Sequence, residues 1–250
     1  MSEISRVLVQ KERGEFSTRN TFVAYLGFEQ KGYETEFFDI ESLQNGGVTI
    51  TPQTMIVGGI GAVKAGLNRF NIELPTPLDY PTCLTSYLGR RIWKSTWGEI
   101  RNLHAKPGGS PVFVKPATGL KSFTGTVVAQ FRDLIPTAHF PNETELMAST
   151  VVSFQSEWRY FVHHHEVVGV GHYSGDPLLF PNPDTVRSAV DAFRQEAPVA
   201  YGIDFGVIAE GQTLLVEAND GYSLGSYGMP PVRYATMLED RWVEMTQGLR

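Results

Sequence analysis

Asp204, Glu217 and Asn219 carry oxygen ligands at a spacing that a β-hairpin would turn into a single polar cluster. Residues 203–225 read IDFGVIAEGQTLLVEANDGYSLG, two short apolar stretches joined through Glu210-Gly211. With those two as the central turn residues, Ala209 faces Gln212 and, counting outward, Asp204 falls opposite Glu217. Side chains alternate along a strand, so Asn219 shares their face. Directly opposed Cβ atoms lie about 4.5–5.5 Å apart, where like charges are destabilising. A cation between the carboxylates relieves that repulsion, and an all-oxygen set suits Mg2+ or Mn2+ rather than zinc. The alternative is a solvent-facing hairpin with ordinary polar residues.

Three cations stand upstream. The stretch PVFVKP predicts a strand ending near Lys115, and the loop ATGLKSFTG that follows carries Lys121. Two lysines bracketing a glycine-bearing loop could hold phosphates, the ammonium groups acting as point charges beside backbone N–H groups. Arg159, within SEWRYFV, would share a strand face with Glu157 and Phe161. Burial there requires an anionic partner, either a ligand or a carboxylate such as Glu157. His163-His164-His165 suggests a metal tract, but strand alternation sends His164 away from its neighbours, so an exposed turn is expected. Cys83 is the single cysteine, which excludes an intramolecular disulfide and reads as a structural thiol in a reducing compartment.

The 250 residues are 42% hydrophobic and 19% charged, the balance of a globular protein with a substantial core. A net charge of −6 gives no electrostatic footprint for nucleic acid or an anionic membrane. With no apolar leader and no run of about 18 apolar residues, the expected location is cytoplasmic.

To position these groups, the chain is expected to begin with an α/β unit: strands over residues 4–10, 33–40 and 54–57, with a helix ending at Gly32. GGIGAVKAG matches neither nucleotide-loop pattern and reads as a strand-to-helix turn. The proline-rich residues 74–81 mark a boundary between domains 1–80 and 81–250. Apolar spacing predicts a helix over 84–103, then strands at 126–131, within 154–162 and at 166–171, and helices over 182–196 and 232–247.

In order, VFVKP, the glycine-bearing loop, SEWRYFV, DFGV and LVEAND resemble the ATP-grasp superfamily. K-P-x-x-x-x-K-x-F-T-G with the arginine of SEWRYFV is similar to the divergent clade named for one arginine and two lysines. That clade includes bacterial and phage proteins and the eukaryotic factor that assembles a translation-initiation complex. The resemblance covers residues 75–227 and implies an α/β (α+β) fold: two α+β subdomains clasping ATP, preceded by a small α/β domain. It further implies that Lys115 and Lys121 contact ATP phosphates, that Val151, Val152 and Ser153 present backbone groups to adenine, and that Glu157 binds ribose. Arg159 would sit against the transferring phosphoryl group; Asp204, Glu217 and Asn219 would hold Mg2+; Tyr222 and Ser223 would face the acceptor. In place of the superfamily's common acidic hinge residue, 147–150 read MAST.

The implied chemistry is ligation of a carboxylate to an amine or thiol through an acyl-phosphate, with Arg159 and Lys121 in catalytic roles and an amino-acid-like, peptide or protein substrate. The alternatives are an ATP-binding assembly factor without turnover and a metal-binding α/β protein without nucleotide.

Overall fold

A computed structural model describes residues 4–105, 108–117 and 123–249 of the chain. Its elements divide into two compact units, one formed by Met1–Tyr87 with Phe154–Arg250 and the other by Leu88–Ser153.

The first unit opens with β1 (Arg6–Glu12), in which Val7, Leu8 and Val9 are all buried. Burial on both faces is the mark of a parallel strand covered by helices. A tight turn through Arg13 and Gly14, both at positive φ, adds the short antiparallel β2 (Glu15–Phe16). Thr18 then starts α1 (Arg19–Gln30) by a reciprocal capping box with Thr21, and Gly32 follows the helix at φ +80°. β3 (Glu34–Phe38) pairs parallel to β1 on one side. After the one-turn α2 (Ile40–Gln44), capped by Asp39, β4 (Thr54–Val57) pairs parallel on the other side. α3 (Ile60–Asn68) begins at Gly59, whose N–H donates to Gln10 Oε1 at 2.9 Å. GGIGAVKAG is thus a strand-to-helix turn, with the Gly59 amide committed to a side chain.

The second unit corrects an expectation. Residues 84–103 do not form one helix: a 3-10 turn over Thr82–Tyr87 ends the preceding unit, and Gly89 at φ +57° breaks the path. β5 (Ile92–Thr96) is extended, and only α4 (Trp97–Leu103) is helical. The capping box between Thr96 and Glu99 fixes that start. β5 pairs with β8 (Glu145–Thr150), which pairs with β6 (Val112–Pro116), and β6 with β7 (Thr126–Val128), giving an antiparallel sheet in the order β5-β8-β6-β7. Trp97, Ile100, Val114 and Leu146 form its core, with Phe123 and Phe140 packed against Trp97.

Back in the first unit, β9 (Phe154–His163) and β10 (Glu166–Gly175) form a hairpin. β9 also pairs with β11 (Ala200–Ile208), and β11 with β12 (Thr213–Asp220), giving the antiparallel order β10-β9-β11-β12. α5 (Pro183–Phe193) lies between the two hairpins in sequence, capped by Asn182 with proline at its first position. α6 (Pro231–Thr246) closes the chain against α1. Gly27 allows that approach: a Cβ there would lie 2.1 Å from the Pro231 carbonyl oxygen. Lys31 and Tyr33 both donate to Glu239, which is buried on α6. The shared core joins Val7, Leu8 and Phe28 of the parallel layer to Phe161, Tyr234, Leu238 and Trp242. Among the described residues no helix is long and apolar enough to cross a membrane.

Candidate functional site

Register on the antiparallel sheet of the first unit builds the site. Gly171, Arg159, Asp204 and Glu217 are directly paired across β10, β9, β11 and β12. In the neighbouring same-face row stand Gly169, Phe161, Gly202 and Asn219. Asp204 therefore does oppose Glu217, but by a different route from a two-residue turn. The loop is Ala209-Glu210-Gly211, with Gly211 at φ +78° and its N–H donating to the Ile208 carbonyl. That shifts the pairing by one, so that Val207 meets Thr213 and Phe205 meets Leu215. A bulge then leaves Val216 as an extra residue, and the Asp204–Glu217 pairing is restored.

Arg159 and Asp204 are joined two-fold: Nε donates to Oδ1 at 2.8 Å and Nη2 to Oδ2 at 2.6 Å. Their side chains are only 9% and 3% exposed. Asn219 Nδ2 adds a third hydrogen bond to Asp204 Oδ2, at 3.2 Å. Burial, with the charges of Glu217 and Glu157 behind it, pushes the Asp204 carboxyl above its usual range, while Arg159 works in the opposite direction. Burial is the largest influence on Arg159 and opposes its charge, but the hydrogen bonds to Asp204, together with the charges of Asp204, Tyr227 and Tyr173, outweigh it and hold the guanidinium charged. Arg159 Nη1 makes no hydrogen bond among the described residues.

Glycines make room for this arrangement. A Cβ on Gly202 would lie 3.1 Å from Arg159 Cδ and Nε, and one on Gly171 would meet the Tyr227 carbonyl oxygen at 2.5 Å. The Tyr227 ring consequently approaches the sheet, with its centroid 5.1 Å from the Arg159 guanidinium carbon. Tyr173 packs beside Tyr227 and donates to Glu157 Oε2 at 3.1 Å. Burial, then the Asp204 and Glu157 charges, raise the Tyr173 phenol well above its ordinary pKa. Neither tyrosine stood out in the sequence; the glycines facing Arg159 from both neighbouring strands were the available signal.

After β12 the chain turns through Gly221–Ser223. Asp220 is held by Arg241 of α6 through Nε and Nη2, at 2.7 and 2.6 Å. Ser223 donates to the Gly58 carbonyl at 3.0 Å. Tyr222 and Ser223 line a cavity of about 70 Å3 with Thr18, Asn20, Gly58 and Gly59.

The remaining candidates fall in the second unit. Lys115 sits near the end of β6, half-buried and paired in register with Met147. Val151, Val152 and Ser153 lie outside regular structure after β8, with Val151 and Ser153 exposed. Lys121 lies outside the described residues.

The oxygen set suits a hard dication. Asp204 Oδ2 already accepts two hydrogen bonds, whereas Oδ1 accepts one and keeps ligating capacity. With its Nδ2 turned to Asp204, Asn219 retains its carbonyl oxygen as a donor atom for a metal.

Residues 87–237 match the model of an ATP-grasp domain family, the second family of the clade named for one arginine and two lysines. No curated protein sequence matches the chain. Among solved structures, D-alanyl-alanine synthetase A from Vibrio cholerae superposes with a TM-score of 0.61 at 12% identity, covering 100% of this chain and 99% of that one. D-alanine–D-alanine ligase from Bacillus anthracis complexed with ATP gives 0.56 at 14%, over 98% and 95%. The ATP-grasp ligase PsnB complexed with a minimal precursor gives 0.50 at 15%, over 97% and 99%. At these identities the likeness is one of fold.

Proposed function

The chain belongs to the ATP-grasp domain family of the clade named for one arginine and two lysines, and from that membership we propose that it is a Mg-ATP-dependent ligase joining a carboxylate to an amine, or to a thiol, through an acyl-phosphate. The observation that carries this reading is the Arg159–Asp204–Glu217 row with Asn219 beside it, a cation and an oxygen-donor set on one sheet face. Similarity of fold to ATP-dependent ligases, one of them complexed with ATP and another with a precursor, supports nucleotide use and an amino-acid-like, peptide or protein substrate.

In this mechanism a substrate carboxylate oxygen attacks the γ-phosphorus, ADP leaves, and the amine then displaces phosphate from the acyl carbon while losing a proton. Positioning and charge neutralisation supply most of the acceleration in such transfers. Lys115 and Lys121 hold phosphate oxygens, Val151, Val152 and Ser153 offer backbone groups to adenine, and Glu157 binds ribose. Arg159, fixed by Asp204 through two donors, directs Nη1 to the oxygens of the transferring group; its charge is permanent, as the role requires. Glu217, Asn219 and Asp204 Oδ1 hold Mg2+, which when bound offsets phosphate charge. Tyr222 and Ser223 flank the acceptor.

The test is ADP release from Mg-ATP, screened against pairs of carboxylates and amines. ADP formation that requires both acceptors is expected. ATP bound without turnover under every pair would favour an assembly factor, and absence of Mg-ATP binding at millimolar concentration would sink the ATP reading altogether.

A further inference from the structure

We propose that His163, His164 and Asp240 form a separate binding site for a first-row transition-metal dication of the Zn2+ class, at the tip of the β9–β10 hairpin. Strand alternation would separate the two imidazoles, but His164 is not in the strand. His163 pairs with Glu166, and His164 and His165 between them occupy a two-residue turn at φ +48° and +66°. Asn-Gly relieves such a turn best; here the chain places imidazoles in it. The turn folds His164 back beside His163, with ring centroids 4.3 Å apart. Both Nε2 atoms then converge on Asp240 Oδ2, at 2.7 and 3.2 Å.

The three ligand atoms all lie within 4.8 Å of one another. Tetrahedral zinc with bonds of about 2.0–2.1 Å spaces its ligands about 3.3 Å apart, so small side-chain rotations suffice. Asp240 is offered from a fixed backbone. Its neighbours Glu239 and Arg241 are buried and hydrogen-bonded, to Lys31 with Tyr33 and to Asp220 respectively. Two nitrogens and one carboxylate select Zn2+, Ni2+ or Cu2+ over Mg2+ or Ca2+, unlike the all-oxygen set at Asp204. Remaining coordination positions open to water, since His164 is exposed. A bound ion would tie the hairpin that carries Arg159 to α6.

The experiment titrates Zn2+ calorimetrically into tag-free, metal-stripped full-length protein in excess Mg2+, which occupies oxygen-only sites. One Zn2+ per chain is expected, with a melting temperature that rises on binding. His164→Asn keeps a residue tolerant of positive φ, so the metal-free melting temperature should hold while Zn2+ affinity falls about tenfold or more. Asp240→Asn should weaken binding comparably. No Zn2+ uptake by the wild type, or wild-type Zn2+ affinity retained in both variants, would overturn the proposal.

Discussion

The Arg159–Asp204 pair makes an asymmetric prediction. Both side chains are almost wholly buried and joined by hydrogen bonds of 2.8 and 2.6 Å, so removing either partner strands a charge. Such breaks cost about 3–5 kcal/mol. For a chain of this length that corresponds to a fall in Tm of roughly 6–20 °C, at about 2–4 °C per kcal/mol. The two truncations should nevertheless differ with pH. In Arg159→Met, Asp204 faces Glu217 and Glu157 without its cation, and its already raised pKa rises further. An acid whose native pKa is raised contributes stability that is present below its unfolded pKa, about 3.9, and lost as pH rises through the native value. The Arg159→Met deficit should therefore shrink on acidification. Asp204→Leu leaves a guanidinium that cannot shed its proton, so its deficit should persist. Replacing both, Arg159→Met with Asp204→Leu, should cost well below the sum of the singles. Thermal unfolding followed by circular dichroism between pH 4 and 8, as chosen test conditions, reads all three variants. A loss below about 1 kcal/mol in Asp204→Leu, or an additive double variant, would refute the reasoning.

Three further outcomes are expected. Glu217→Gln should weaken Mg2+-dependent ATP binding about tenfold while leaving Mg2+-free binding little changed, as read by calorimetry with and without the metal; an unaltered Mg2+ requirement in both Glu217→Gln and Asp204→Asn would show the oxygen set to be misassigned. Gly171→Ala forces a Cβ within 2.5 Å of the Tyr227 carbonyl oxygen and should destabilise by about 1–3 kcal/mol in urea unfolding. Burial, then the Asp220 charge, push the Tyr222 phenol up to about 12; its stability contribution is present below the ordinary value near 10 and lost as pH rises through about 12, so Tyr222→Phe should flatten the fall in Tm over that window.

Much of the fold was legible because local signals agreed with it. Thr54–Val57 is a strand over the expected residues, and Asn182-Pro183 and Gly32 punctuate helices as their chemistry dictates. Residues 84–103 misled because Leu88, Ile92, Trp93, Ile100 and Leu103 fit a helical period. Gly89 and the Thr96–Glu99 capping box carried the contrary information. The expected anionic partner of Arg159 is Asp204, a cross-strand neighbour that only the β9–β11 register reveals. The turn expected at the three histidines is present with His164 exposed, but strand alternation stops at His163 and does not keep His164 away from it. Tyr173 and Tyr227 reach the site through long-range packing that spacing cannot express.

The bulge at Val216 also makes the hairpin tolerant of insertion. Beyond it the register of Asp204 is fixed by Arg159 on β9, and that of Ala218 by its bridge to Asp79; only the outer pairs answer to the loop at 209–211. That loop is consequently a graft point where a peptide tag or fluorophore could be spliced in without dragging the carboxylates off their face.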